Sequence, residues 1–172
     1  MPNPLPLYLQ VKPPERLIPE IAQLCPAHGI RPNYGSSRYH STVQPIGDAR
    51  IFSQSHIDSI QTAIADLLLE PFEVRFDRIE RTALRGNGMS AFKARQAQIV
   101  RCLMRVGIAL PPYILRPHLS LAYGDKTKRS IRVPPIGWTA TELLLVMSVH
   151  GEGRHEHITS WRLRPRQGTL DF

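Results

Sequence analysis

Two short stretches carry the same three chemistries at the same spacing. Arg38-Tyr39-His40-Ser41-Thr42-Val43 and Arg116-Pro117-His118-Leu119-Ser120-Leu121 each hold an arginine, a histidine and a hydroxyl residue at every second position, with an aliphatic residue directly after the hydroxyl. In a β-strand successive side chains point to opposite faces, so each stretch, read as a strand, puts Arg, His and Ser/Thr on one face. Two such strands side by side would bring two imidazoles, two hydroxyls and two guanidiniums to one spot. Cleaving a phosphodiester requires a proton taken from the attacking oxygen and another given to the leaving oxygen. An imidazole, which titrates near neutral pH, can do either. With His40 and His118 on opposite sides of a phosphorus, Thr42 and Ser120 are placed to donate to the non-bridging oxygens, where transition-state charge gathers. Arg38 and Arg116 should face the same cleft, roughly 7 Å along the strand from the imidazoles, and a guanidinium fork suits a phosphate. The scheme needs no metal and no cofactor. One His-x-Ser/Thr on a strand is more often structural than catalytic; the repeated arrangement is what points to chemistry.

The elements that must position these residues follow from periodicity and breakers. Leu7 to Val11 reads as a strand stopped by Pro13-Pro14, and Leu17, Ile21, Leu24 and Cys25 recur at helical spacing up to His28-Gly29. Pro14 suits the first turn of that helix, whereas Pro19 marks its true start or a kink. Arg31 to Ser37 is a loop, and Tyr39 to Ile46 the first motif strand. Ser55 to Asp58 resembles a capping box for a helix striped by Ile57, Ile60, Ile64, Leu67 and Leu68. Phe72, Val74 and Phe76 alternate with charged residues in a half-buried strand. Arg81 to Gly88 is a hairpin tip or mobile loop, followed by a helix from Ser90 to Val106 with Phe92, Ile99, Leu103 and Val106 on one stripe and Gly107 as its stop. Ile114 to Tyr123 is the second motif strand, and 125–132 a charged loop. Strands Glu142 to His150 and His155 to Leu163, joined across Gly151-Glu152-Gly153, close the chain. The order predicts an α+β fold with antiparallel sheets, and with no linker or composition shift residues 1–172 form a single domain.

Composition narrows the class. Of 172 residues, 42% are hydrophobic and 21% charged, ordinary for a folded domain with a substantial core. Leu143 to Met147 is far too short an apolar run to span a bilayer, so no membrane partner is expected. The first residues have neither the basic nor the apolar region of a signal peptide, which makes a cytoplasmic protein the expectation. Cys25 and Cys102 sit in apolar helical contexts and read as small buried hydrophobes. A net charge of +8 and a pI near 10.1 favour a polyanionic partner, nucleic acid being the commonest in cells, though a basic surface can also be merely solvated.

The two motifs resemble the paired His-x-Thr/Ser-hydrophobic motifs of the 2H phosphoesterase superfamily, and within it the 2′-5′ RNA ligase (LigT-like) family that includes RNA 2′,3′-cyclic phosphodiesterases. Leu9 to Pro14 resembles that family's opening strand and Pro-Pro turn. Tyr39 to Thr42 with Ile46-Gly47-Asp48 resembles its first motif, and Arg116 to Ala122 its second. Glu142 to Leu145 with Ser148, then Trp161-Arg162-Leu163, resembles its closing strand pair. The resemblance implies a bilobal fold with pseudo-two-fold symmetry, helices on the outer faces and the active site between the lobes. It implies His40 as proton donor to the leaving oxygen, His118 as the base that activates water, and Thr42 and Ser120 as phosphate ligands. The 3′ oxygen would leave and the product would carry a 2′-phosphate. The implied partner is RNA or a nucleotide with a cyclic phosphate; no protein partner is indicated. Three departures concern the substrate: Ser120 stands where threonine is commoner, Ser41 where an aliphatic residue is usual, and Val43-Gln44-Pro45 is less regular than the family's strand. The competing readings are cleavage or ligation of 2′-5′ linkages, a nucleotide- or RNA-binding module without turnover, and a basic structural RNA-binding protein.

Other polar residues carry less. His155 and His157 share a strand face but lack a third metal ligand, although His157 could line the cleft. His28 and His56 stand at helix ends, and His150 has no assigned role. Lys126, Lys128, Arg129, Arg132, Arg81 and Arg85 suit either an RNA backbone or plain solvent. Tyr39, Tyr123, Trp138 and Trp161 are expected in the core.

Overall fold

The computed structural model describes residues 4–124, 127–149 and 154–166. Strand β1 (Pro6–Val11) buries Leu7, Leu9 and Val11 and leaves Tyr8 on its other face. A single 3₁₀ turn at Glu15–Leu17 leads into helix α1 (Ile18–Ala27), in which Pro19 occupies the first turn, where its missing N–H is no loss. Gly29, at φ +64°, reverses the chain after it, and the Ile30 amide bonds back to the Cys25 carbonyl at 2.8 Å. There follow β2 (Ser41–Asp48), α2 (Gln54–Asp66), β3 (Phe72–Glu80), β4 (Ala83–Arg85), α3 (Ser90–Arg105), β5 (His118–Ser120), β6 (Ser130–Ala140), β7 (Glu142–Val149) and β8 (Arg154–Arg162).

The strands form two four-stranded antiparallel sheets, in the orders β2-β1-β7-β8 and β5-β4-β3-β6. This is the α+β arrangement expected. Each motif strand, β2 or β5, is the outermost strand of its sheet, and the two touch each other along that edge. The pseudo-symmetry therefore places the two histidine stretches face to face. In the second sheet β3 alternates cleanly, with Phe72, Val74 and Phe76 inward, and a register shift between Phe76 and Arg78 brings Ile79 back to the core. Phe92, Ile99 and Leu103 of α3 pack into the same core, where Phe72 and Phe92 lie 4.8 Å apart between ring centroids. Truncating Phe76 or Phe92 to Ala would cost about 3–5 kcal/mol by cavity formation.

Several expectations shift. The first motif strand begins at Ser41 rather than Tyr39, because residues 36–38 close a 3₁₀ turn. The second shrinks from Ile114–Tyr123 to three residues, since Pro117 has no N–H to pair and the chain before it carries no ladder. Arg81 to Gly88 is not all loop: it turns at Arg81 (φ +56°) and lays down β4 against β3. Strand β6 was not foreseen, masked by Pro134-Pro135 and Gly137; it is the outer strand of its sheet, where proline is tolerated. Helix α2 starts two residues earlier than expected. Ser53 and His56 form its capping box, with the Ser53 amide donating to His56 Nδ1 at 3.1 Å. The apolar stripes end early too, for Leu68 is 78% exposed and Val106 lies outside the core. Both cysteines are free, Cys25 buried and Cys102 half-buried. No described helix is long and apolar enough to cross a membrane. Asp125, Lys126, His150 and the hairpin expected at Gly151-Glu152-Gly153 lie outside the described residues.

Candidate active site

The seam between the sheets opens into a cavity of about 540 Å³, lined by His40 and Thr42 from one half and His118 and Ser120 from the other. Each imidazole is held by the same backbone device. His40 Nδ1 donates to the carbonyl of Arg38 at 2.7 Å, and His118 Nδ1 donates to the carbonyl of Arg116 at 2.9 Å. A carbonyl only accepts, so the ring proton sits on Nδ1 and leaves Nε2 as the working nitrogen. The local sequence frees those carbonyls. Arg38 ends a 3₁₀ turn rather than running in a ladder, and Pro117 keeps Arg116 out of β5.

Burial, with the charges of His118, Arg38 and Lys12, lowers the His40 pKa to about 4, against the opposing pull of its carbonyl bond. The His118 pKa is also lowered, by burial and by the Arg85 guanidinium, again opposed by the bond to its carbonyl. With both pKa values lowered, both imidazoles are neutral at neutral pH. An anion entering between them would favour their charged forms.

Arg38 lines the cleft, though it reaches it from the end of a 3₁₀ turn rather than by strand alternation, and two rings steady it. Its Nη2 donates to His155 Nε2 at 3.1 Å, and its guanidinium carbon lies 5.4 Å from the centre of the Tyr34 ring. Because a guanidinium only donates, Nε2 of His155 must accept; the Tyr8 hydroxyl, 2.8 Å away, donates to the same atom. The His155 ring stands edge-on to His40 at 5.2 Å, and burial followed by the charges of His40, Arg38 and Lys12 brings its pKa to about 4. Neutral His155 therefore serves Arg38 as a hydrogen-bond acceptor and lies too far inside the fold to be a wet strand face. It is His155, not His157, that reaches the cleft; His157 is exposed.

The loop before β2 ties the two halves together. The Tyr34 hydroxyl donates to the Ser120 carbonyl. Asn33 makes two bonds to the backbone of Tyr123, donating to its carbonyl at 2.8 Å and accepting from its amide at 3.0 Å. Tyr34 and Tyr123 stack at 4.8 Å. Tyr123 is thus a cleft residue, 50% exposed, because the chain leaves β5 after Ser120 and the strand phase that put it in the core no longer applies. Tyr39, Trp138 and Trp161 do pack in or against the core.

Arg116 is the predicted residue that the cleft does not receive. Its carbonyl serves His118, but its side chain lines a separate cavity beside Arg78, Arg85 and Lys93. Sequence reasoning missed Tyr8, Asn33, Tyr34 and His155. Only Tyr8 left a signal, as the polar phase between Leu7 and Leu9 on a strand. The others reach the cleft through a loop and through a strand distant in sequence. Among the described residues no cluster of three or more His, Cys, Asp or Glu could hold a metal ion.

No protein-family model and no curated protein matches the sequence. Solved structures do match, over nearly the full length of both chains. LigT of E. coli in complex with 3′-AMP aligns at TM-score 0.73 and 16% identity, covering 94% of this chain and 99% of that one. A structure described as a phosphoesterase aligns at TM-score 0.72 and 16% identity, covering 95% and 100%. TT0787 of Thermus thermophilus aligns at 0.72 and 16%, covering 94% and 100%. The class of protein that fold and cleft define is thus a two-sheet α+β protein with its histidine pair at the seam. More particularly, this chain has the fold of LigT.

Proposed function

We propose that this protein is a metal-independent phosphodiesterase that hydrolyses the 2′,3′-cyclic phosphate of an RNA end or a small nucleotide to a 2′-phosphate. The observation that carries the reading is the matched pair of imidazoles. Each is fixed through Nδ1 to a backbone carbonyl, and each is accompanied in one cavity by a hydroxyl two residues on. Solved LigT structures in complex with 3′-AMP, phosphate and ATP add support from a protein of the same fold.

In this reading His118 Nε2 takes a proton from water as its oxygen attacks phosphorus. The P–O3′ bond breaks, and protonated His40 gives its Nε2 proton to the departing 3′ oxygen, leaving the phosphate on O2′. The substrate's negative charge raises the His40 pKa from its low resting value and charges it for this role. Thr42, Ser120 and Arg38 donate to the non-bridging oxygens as their charge grows. Turnover of a 2′,3′-cyclic nucleotide in EDTA, with the product assigned by ³¹P NMR as the 2′-phosphate, is the expected result. Absence of hydrolysis, or a rate unchanged in His118→Ala, would overturn the reading.

A further inference from the structure

The second cavity, about 290 Å³, is lined in part by Arg116-Pro117, just before His118, and collects Arg78, Arg85, Lys93 and Arg116 with one lining carboxylate, Glu80. Arg78 takes up that carboxylate and a second one from outside the cavity: its Nε donates to Glu80 at 2.6 Å, its Nη1 to Asp77 at 3.2 Å, and its Nη2 to Asn87 at 3.0 Å. Arg85 is half-buried, and its Nε has no hydrogen-bond partner among the described residues. Burial and the neighbouring Arg116 and Arg78 work against its charge, with Glu80 and Tyr113 opposing them. The loop Gly86–Met89 walls the cavity at the start of α3, whose first turn has neither a side-chain cap nor an acidic residue. Only glycine fits at position 86, since a Cβ there would stand 2.0 Å from the Arg75 carbonyl oxygen. Arg85, Lys93 and Arg116 are left without a carboxylate partner among the described residues, and packed cations with an unpartnered donor in a concave site suit an anion.

The cavity is coupled to the cleft by one atom. Arg85 Nη1 donates at 3.1 Å to the Arg116 carbonyl, the same oxygen that holds His118 Nδ1. Arg85 and His118 are also directly paired across β4 and β5, strands about 4.8 Å apart. The two cavities therefore adjoin through Arg85, Arg116 and His118.

We propose that this cavity binds the neighbouring phosphate of the same strand, so that the preferred substrate is an RNA end, with a phosphate upstream of the terminal nucleotide, rather than a cyclic mononucleotide. The inference rests on the proposed function for which phosphate enters the cleft. Arg116 then grips a phosphate as its position beside His118 led one to expect, but the next one along. Lys93, exposed on α3, adds a second contact.

Binding tests this without turnover. Titration calorimetry on the wild type should find a nucleoside 3′,5′-bisphosphate bound about tenfold more tightly than the 3′-monophosphate, the gain of one charge-assisted contact set. Lys93→Ala and Arg116→Ala, both exposed positions, should each cut that ratio several-fold. A wild-type ratio near one, or a ratio that neither variant changes, overturns the proposal. So does a ratio near one with two inorganic phosphates bound per chain, which would make the cavity a site for a separate anion. Loss of cyclic-phosphate hydrolysis with the binding ratio intact would instead count against the enzymatic reading alone.

Discussion

The two halves of the cleft are built alike at the backbone and unlike around it. In both, an edge strand starts at or just after a histidine whose Nδ1 is bonded to the carbonyl two residues earlier, and a hydroxyl follows two residues later. Around His40 the space is crowded by Tyr8, His155 and Arg38. Around His118 stands instead Arg85, bonded to the same Arg116 carbonyl, with a second basic cavity beyond it. The repeat is thus a device for holding an imidazole and leaving Nε2 free. Any residue supplies the carbonyl, so the device does not dictate where the two arginine side chains go: one enters the cleft and the other lines the cavity beside it.

The most forceful way to break the comparison is to remove either imidazole. If both halves serve one reaction, His40→Ala and His118→Ala should each lower kcat on a 2′,3′-cyclic nucleotide by about 10²–10⁴-fold. The double variant should lose little more than the worse single one, because the two groups act as a unit. A large loss in only one variant would mean that the backbone symmetry is not a functional symmetry.

A smaller effect should separate the arginines. Arg38 faces the cleft with its Nε unpartnered among the described residues, so Arg38→Ala should lower kcat/KM for the cyclic mononucleotide by about 10–100-fold, the cost of a charged contact to phosphate. Arg116→Ala should cost that small substrate several-fold less, since its side chain lines the neighbouring cavity. Equal losses would return Arg116 to the cleft.

How much of this was legible in the sequence follows from how local each feature is. The alternation of Phe72, Val74 and Phe76 and the stripe Phe92, Ile99, Leu103 are local patterns, and the elements they predict are there. The paired motifs announced the facing histidines and hydroxyls for the same reason. Strand β6 was hidden because Pro134-Pro135 reads as a breaker, and only its place at a sheet edge makes proline harmless. Arg116 was misplaced because strand phase was carried through Pro117, which ends the strand. His155 and Tyr34 join the cleft by tertiary contact across sheet and loop, and nothing near them in sequence reports it.

The subtlest difference between the halves is electrostatic. His40 has its pKa lowered to about 4 and His118 is lowered as well, each chiefly by burial. In the unfolded chain a histidine titrates near 6.5. Between those values the unfolded state binds more protons than the folded state, so stability should fall as pH drops from 6.5 through 4. A bound dianion reverses the sign at the cleft: by stabilising the imidazolium forms it makes binding take up protons. Sulfate, which keeps its charge through this range, is the clean probe. Its affinity should rise as pH falls from 8 to 5, by up to tenfold per pH unit for each proton taken up. His118→Gln should remove one proton from that slope, and thermal melts at pH 5 should regain with sulfate the stability lost without it. A flat pH profile for sulfate would mean that the anion does not sit between the imidazoles, and the shared backbone device would then have to serve something other than a phosphate.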